Sequence, residues 1–299
     1  MARRVQILVQ GVAQGMEFRP HVFSLARRRS LRGHALNNAT GVLIDVEGET
    51  SAIEQFINEI KLGPPALAQI EPVERRDDPA LANYLEFRIA GSESAGRNPV
   101  PISPYIATCA DCLRELFDPR GRRYRYPFIY CGACGPRFTI VEDAPDDREK
   151  TTMREFAICG ECRAEYENPL NRRFHTEPAA CAACGPRLYL TDELGRELEA
   201  GDDAIGHARG LLLNGKILAI KGVGGFHLAC DATRIEAVER LRRRKYHQDK
   251  PFALMAGSIE AIEEYCSVSA VERDLLLSTR RPVVLLTRKP DSILSNGSN

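Results

Sequence analysis

Val5, Ile7 and Val9 recur at every second position, the period of a strand with one buried face. A glycine-bearing loop follows, Gln10-Gly11-Val12-Ala13-Gln14-Gly15-Met16-Glu17-Phe18-Arg19, and Pro20 suits the first turn of a helix. That helix is expected to run to about Arg32, with Gly33 ending it. Two strands are expected at 35–37 and 42–46, joined by the turn Asn38-Ala39-Thr40-Gly41. Ser51 and Glu54 have the spacing of a capping box ahead of a helix with Ile53, Phe56, Ile57 and Ile60 on one side. A strand at 85–89 closes the segment. The order strand-helix-strand-strand-helix-strand is that of a ferredoxin-like α+β unit.

The middle of the chain is punctuated by cysteine. Eight of the ten cysteines fall in Cys-x-x-Cys pairs: Cys109/Cys112, Cys131/Cys134, Cys159/Cys162 and Cys181/Cys184. The intervals 113–130 and 163–180 each hold 18 residues, and 135–158 holds 24. Two residues between cysteines let both thiolates of a turn face one Zn2+, and two such turns complete a tetrahedral site. The two halves also repeat with a period of 50 residues. Glu115, Pro119, Arg122, Arg123, Ala133, Gly135, Pro136 and Arg137 meet identical residues at that offset, as do the cysteines. Duplication of a whole unit implies one zinc per half, held by Cys109, Cys112, Cys131 and Cys134 and by Cys159, Cys162, Cys181 and Cys184. Ligands exchanged between halves are the alternative. His175 stands where the first half has Arg125, so it reads as a polar surface or contact residue rather than a ligand. Closed four-thiolate sites leave no open position and are therefore structural.

From about residue 202 the pattern changes again. Asp202, Asp203 and Ala204 open an amphipathic helix carrying Ile205, Ala208, Leu212 and Leu213. A short strand at 217–220 runs into Lys221-Gly222-Val223-Gly224-Gly225-Phe226-His227-Leu228, which lacks the last glycine of a dinucleotide fingerprint. Arg240, Arg242, Arg243, Arg244 and Lys245 then lead to Lys250-Pro251. Such a run is a solvated helix face or the wall of a phosphate-lined cleft. Cys230 and Cys266 sit in apolar surroundings and are expected to be small core residues.

Composition narrows the class. Lys+Arg 41 balances Asp+Glu 41, which argues against a general binder of nucleic acid or membrane surfaces. Tryptophan is absent and aromatics make up 7%, against a reader of single strands that needs stacking platforms. No apolar run approaches the roughly 20 residues of a membrane span. The opening has no apolar segment or cleavage site typical of secretion, and free cysteines in this number fit a reducing compartment, so the cytoplasm is expected.

Residues 9–20 resemble the phosphate loop of acylphosphatases, and Gly33-His34-Ala35-Leu36-Asn37 lies where that family carries its asparagine. The resemblance implies that Arg19 grips phosphate and that Asn37 positions the attacking water. Longer relatives have glycine where this chain has Glu17. A carboxylate about 5 Å from a phosphate charge costs roughly 1 to 3 kcal/mol. Residues 221–231, the basic run and Lys250-Pro251 resemble the start of a YrdC/Sua5-type domain, which makes acyl-adenylates from ATP. That resemblance implies nucleotide contacts from Lys221, Lys245 and Lys250, with His247 where an arginine is expected.

The chain is thus expected to be an α+β multidomain protein. A ferredoxin-like acylphosphatase domain spans 1–92, and duplicated four-cysteine zinc units lie within 105–190 (109–134 and 159–184). A truncated YrdC-like α/β domain spans 202–299. This order is similar to the N-terminal part of the carbamoyltransferases of NiFe-hydrogenase maturation. That similarity implies hydrolysis of carbamoyl phosphate, formation of carbamoyl-AMP with ATP, and transfer of the carbamoyl group to the C-terminal cysteine of a HypE-like partner. With about a hundred residues after the cysteine units, roughly half of a YrdC-like domain, complete transfer is not expected from this polypeptide alone. A zinc-dependent adaptor without catalysis, a degenerate fragment and an acylphosphatase with unrelated appendages are the competing readings.

Overall fold

The computed structural model describes residues 2–65, 67–71, 73–78, 80–93, 101–145, 147–246 and 250–294. It divides into two compact units, Met1–Pro186 and Arg187–Asn299.

The first unit opens with β1 (Ala2–Val9), β2 (Gly11–Val12), α1 (Phe18–Arg28), β3 (Arg32–Asn38), β4 (Gly41–Glu49) and α2 (Thr50–Leu62). β5 (Gln69–Ile70), β6 (Glu74–Asp78) and β7 (Phe87–Ile89) come next. The main sheet has the order β6-β1-β4-β3-β7. Antiparallel pairing sets Val5 against Val46, Ile7 against Ile44 and Val9 against Val42, and all six side chains are buried. Val22, Leu25 and Ala26 of α1 and Ile53, Phe56, Ile57 and Ile60 of α2 complete this core. Burying one such aliphatic or aromatic side chain fully is worth roughly 1.5–3 kcal/mol.

Three local expectations are corrected here. The first helix stops at Arg28, and Gly33 lies inside β3 at φ 138°. A Cβ there would come within 2.0 Å of the Asp45 carbonyl oxygen, so this glycine permits close strand approach rather than ending a helix. No capping box forms at Ser51, because α2 already begins at Thr50 and its N-cap Glu49 makes no side-chain cap bond. The strand that completes the ferredoxin-like order is β6, paired antiparallel with β1. The strand expected to close the unit, β7, adds a fifth member parallel to β3. β6 reads Glu-Arg-Arg-Asp-Asp, and an edge strand with no apolar face leaves no alternating pattern to find.

In the cysteine segment, α3 (Ala110–Phe117) and α4 (Gly160–Glu167) each begin one residue after the first cysteine of a half. The segment packs on the ferredoxin-like sheet: Phe174 joins that core, 5.3 Å from the Phe23 ring, and Met16 joins the cluster of Ile106, Tyr126 and Ile129.

The second unit holds a hairpin of β8 (Tyr189–Thr191) and β9 (Glu197–Ala200), then α5 (Gly201–Leu213). A second hairpin pairs β10 (Leu218–Lys221) with β11 (Phe226–Ala229). α6 (Ile235–Lys245), α7 (Ile259–Tyr265), β12 (Cys266–Ser267), α8 (Ala270–Leu277) and β13 (Thr287–Arg288) complete it. Its interior is small, built on Ala204, Ala237, Val238, Leu241 and Ile259. Cys230 and Cys266 are half-buried, not the core residues expected; Phe226 and Leu228, just before Cys230, are themselves exposed. No helix among the described residues is long and apolar enough to cross a membrane.

Candidate active site and metal centres

The loop between β1 and α1 bends because Gly11 and Gly15 take φ 98° and 71°. Gln14, buried within it, donates to the carbonyls of Asn38 and Gly41, both at 2.9 Å, and so ties the loop to the β3–β4 turn. This brings Arg19 in the first turn of α1 next to Asn37 near the end of β3. Both are buried. With the Asn37 oxygen facing the guanidinium, it accepts from Arg19 Nη2 and Nε, each at 3.3 Å. The first turn of a helix also carries amides without intrahelical acceptors, a natural setting for an anion.

The cysteine segment builds the other wall. The cleft of about 520 Å3, part of it open to solvent, is lined from one side by Ala13, Gln14, Gly15, residues 17–20 and Asn37. From the other it is lined by Gly132, Arg137, Ile140, Val141, Thr151 and residues 174–178. Arg19 Nη1 lies 3.1 Å from Asp147 Oδ1 and 3.4 Å from Ser92 Oγ, and its Nη2 lies 3.3 Å from Glu177 Oε1. Glu177 is anchored independently: its Oε2 accepts from the Arg148 amide at 3.0 Å and from the Tyr166 hydroxyl at 3.2 Å. The Thr176 hydroxyl, also buried against the cleft, makes no hydrogen bond among the described residues. Arg137 fastens the two walls together, donating from Nε to the Gly15 carbonyl at 2.8 Å and from Nη2 to the Gly132 carbonyl at 2.7 Å.

Two side chains at the cleft show their environment in their titration. Burial first, and then the Arg19 charge, push the His175 imidazole down to about 4, so it is neutral near pH 7. It packs as a contact residue between Tyr166 and Phe174. Burial also raises the Glu17 carboxyl. Glu17 occupies the left-handed region at φ 57°, where glycine is favoured, and a Cβ on Gly132 would overlap its side chain. Its carboxylate thus turns towards the cysteine segment.

Each cysteine half gathers its own sulfurs. In the first, Cys109–Cys131, Cys131–Cys134 and Cys134–Cys112 are separated by 3.7, 3.8 and 3.6 Å. In the second, Cys159–Cys181, Cys181–Cys184 and Cys184–Cys162 are separated by 3.9, 3.8 and 3.6 Å. Four tetrahedral sulfurs about 2.3 Å from a zinc ion sit about 3.8 Å apart, so both sets fit that metal. The interleaved pairing does not occur in the structure. Arginines cross between halves instead: Arg172 donates to Cys112 Sγ at 2.9 Å and Arg122 to Cys162 Sγ at 3.2 Å. Between them lies Arg123, fully buried and paired with Glu115 and Glu165.

The residues expected to meet nucleotide are less gathered. Lys221 ends β10 with Nζ 5.7 Å from the Phe226 ring centroid. Lys245, the last residue of α6, and Arg242 lie over Phe252 at 5.9 and 4.6 Å, and Arg242 donates to the Lys250 carbonyl at 2.9 Å. The 250–252 segment therefore folds against the end of α6, bringing Lys245 and Lys250 to one surface. No side-chain hydrogen bond or ion pair is seen among the described residues between Lys221 and either. His247 lies outside the described residues. Asp147, Thr176 and Glu177 carried no sequence signal of their own; Phe-His-Thr-Glu-Pro, where the first half has Tyr-Arg-Tyr-Pro-Phe, was the only available hint.

Fold and cleft define an acylphosphatase-type module joined to a duplicated four-cysteine module. Family models agree: acylphosphatase over residues 5–89, HypF finger over 108–141 and 158–191, and the telomere recombination model of Sua5, YciO and YrdC proteins over 210–299. The carbamoyltransferase HypF of Synechocystis sp. is 47% identical over 296 residues, covering 98% of this chain and 38% of that protein. A crystal structure of full-length HypF in a phosphate- and nucleotide-bound form superposes with a TM-score of 0.91 at 47% identity, covering 99% of this chain and 38% of that one. The acylphosphatase of Dehalococcoides mccartyi is 38% identical over 87 residues, 28% of this chain and 94% of that protein. The chain belongs to the HypF carbamoyltransferase family and spans somewhat over a third of the length of these HypF relatives.

Proposed function

We propose that this chain carries the carbamoyl phosphate hydrolase and part of the adenylating machinery of a HypF-type carbamoyltransferase in NiFe-hydrogenase maturation, acting in the cytoplasm. The observation that carries the reading is the buried Arg19–Asn37 pair beside the loop at the start of α1. Arg19 and the loop amides hold the phosphoryl oxygens. Asn37 orients a water for attack on phosphorus, the phosphorus–oxygen bond to the carbamoyl group breaks, and carbamate and phosphate leave. To admit a dianion, Arg19 exchanges its carboxylate contacts for phosphoryl oxygens. In the YrdC-like segment, Lys221, Lys245 and Lys250 hold the ATP phosphates while carbamate attacks to give carbamoyl-AMP and pyrophosphate. Transfer to the C-terminal cysteine of a HypE-like partner belongs to the longer HypF proteins. The phosphate- and nucleotide-bound state of the related structure supports both small-molecule roles. Two zinc ions, one per cysteine quartet, hold the fold and take no part in the chemistry. Nucleic acid and membrane are not partners in this reading.

The test is phosphate release from carbamoyl phosphate by the purified chain. Arg19→Ala and Asn37→Ala should each lower kcat/KM by at least about 100-fold, the scale of removing one preorganised donor from a charged transition state. No hydrolysis by the unmodified chain would favour a zinc-dependent adaptor.

A further inference from the structure

The two cysteine halves share sequence and backbone, so the places where they differ point to what each half is used for. Arg125 and His175 occupy equivalent positions at φ 54° and 48°. Their amides donate to the equivalent carbonyls of Leu116 and Tyr166, at 2.7 and 3.0 Å. The side chains that follow diverge completely. In the first half Tyr126 packs into its own core and donates to the Pro186 carbonyl. In the second half the equivalent residue is Thr176, whose buried hydroxyl lines the same cleft as Arg19 and Asn37 without a hydrogen-bond partner among the described residues. Pro127 is replaced by Glu177, and Leu116 by the Tyr166 that anchors it. Only the second half has exchanged apolar packing for polar groups, and it has done so facing the phosphate loop.

We infer that Thr176 and Glu177 are the residues that select the acyl group of the substrate, by accepting hydrogen bonds from the amide N–H groups of a carbamoyl phosphate. The inference rests on the reading of the cleft as a carbamoyl phosphate site. A buried hydroxyl with no partner is destabilising and is tolerated where a ligand satisfies it. Glu177 keeps its place through the Arg148 amide and Tyr166 when Arg19 turns to phosphate, and its Oε1 then faces an N–H donor. Acetyl phosphate is nearly isosteric but presents a methyl group, which leaves the Thr176 hydroxyl unsatisfied and sets an apolar group against the Glu177 carboxylate. A site built around such acceptors discriminates strongly against the analogue without donors.

The experiment measures kcat/KM for carbamoyl phosphate and for acetyl phosphate in the full chain and in Thr176→Val, Thr176→Ser and Glu177→Gln. The unmodified chain should prefer carbamoyl phosphate. The preference should fall about tenfold in Thr176→Val and in Glu177→Gln, and Thr176→Ser should restore it. A preference unmoved by Thr176→Val, or a parallel loss on both substrates, overturns the inference. Should Glu177→Gln fail to fold, Thr176→Val decides alone, since valine preserves the volume. Hydrolysis that is abolished by Arg19→Ala but shows no preference, or one indifferent to these variants, overturns acyl selection while leaving the hydrolase reading in place. No hydrolysis of either substrate by the unmodified chain overturns both.

Discussion

His175 shows how one side chain is shaped by two modules. Its ring centroid lies 5.0 Å from Tyr166 and 4.6 Å from Phe174, and Arg19, Asp147 and Tyr166 are the titratable groups around it. Burial and then Arg19 hold it down from an ordinary 6.5 to about 4. Above pH 6.5 the ring is neutral folded or unfolded and contributes no pH dependence. As pH falls from 6.5 to 4, only the unfolded chain takes up the proton, so stability declines, by up to about 2 kcal/mol at pH 5, and levels off below pH 4. His175→Gln should remove that part of the slope, seen as a smaller drop in urea midpoint between pH 7 and pH 5 than in the parent. An equal drop would mean the imidazole is not shielded. At this scale the sequence was partly legible. Arg19 and Asn37 stood in a recognisable pattern, and His175 read correctly as a contact residue. Asp147 and Glu177 did not stand out, because their meaning comes from an arginine more than a hundred positions away.

At the scale of elements, the duplicated cysteine unit has been put to two uses. Tyr124 and Phe174 are equivalent, yet Tyr124 is 45% exposed whereas Phe174 is 7% exposed in the ferredoxin-like core beside Phe23. Deleting a buried aromatic side chain costs roughly 3–5 kcal/mol, whereas changes at exposed positions stay within about 0.5 kcal/mol. Phe174→Ala should therefore lower stability by several kcal/mol in chemical denaturation while Tyr124→Ala barely moves it; similar effects would show that the second half is not docked. The repeat itself was plain from spacing. Which copy faces the sheet was not, since both carry an aromatic there. The charged edge strand β6 was invisible for the opposite reason: backbone hydrogen bonds to β1 hold it in place, and these leave no imprint on side-chain hydrophobicity.

Across the first unit, the second wall of the cleft is built beside the two cysteine quartets. Gly132 adjoins Cys131, Arg137 reaches from beside Cys134 to the Gly15 carbonyl, and residues 174–178 precede Cys181. Structural zinc contributes on the order of 10–16 kcal/mol of folding free energy in small modules. Fresh protein should contain two zinc ions per chain with two readily titrated thiols. A strong chelator should release eight more and abolish amide protection across 105–186. The ferredoxin-like core should keep its protection, and acyl phosphate hydrolysis should fall with the loss of the second wall. A metal-free protein with the middle segment still protected would contradict this.

Short-range chemistry was written in the chain itself. Period-two apolar residues specify β1 because a strand alternates its faces. Paired cysteines at repeated intervals specify two four-sulfur clusters because the reach of each pair is local, and the glycines of the 10–19 loop permit its bends. Only the folded molecule decided which carboxylates meet Arg19, which cysteine half presents Thr176 to the cleft, and which strand closes the sheet. Those pairings join residues far apart in sequence, and their energies arise from burial and geometry that exist only once the modules have packed.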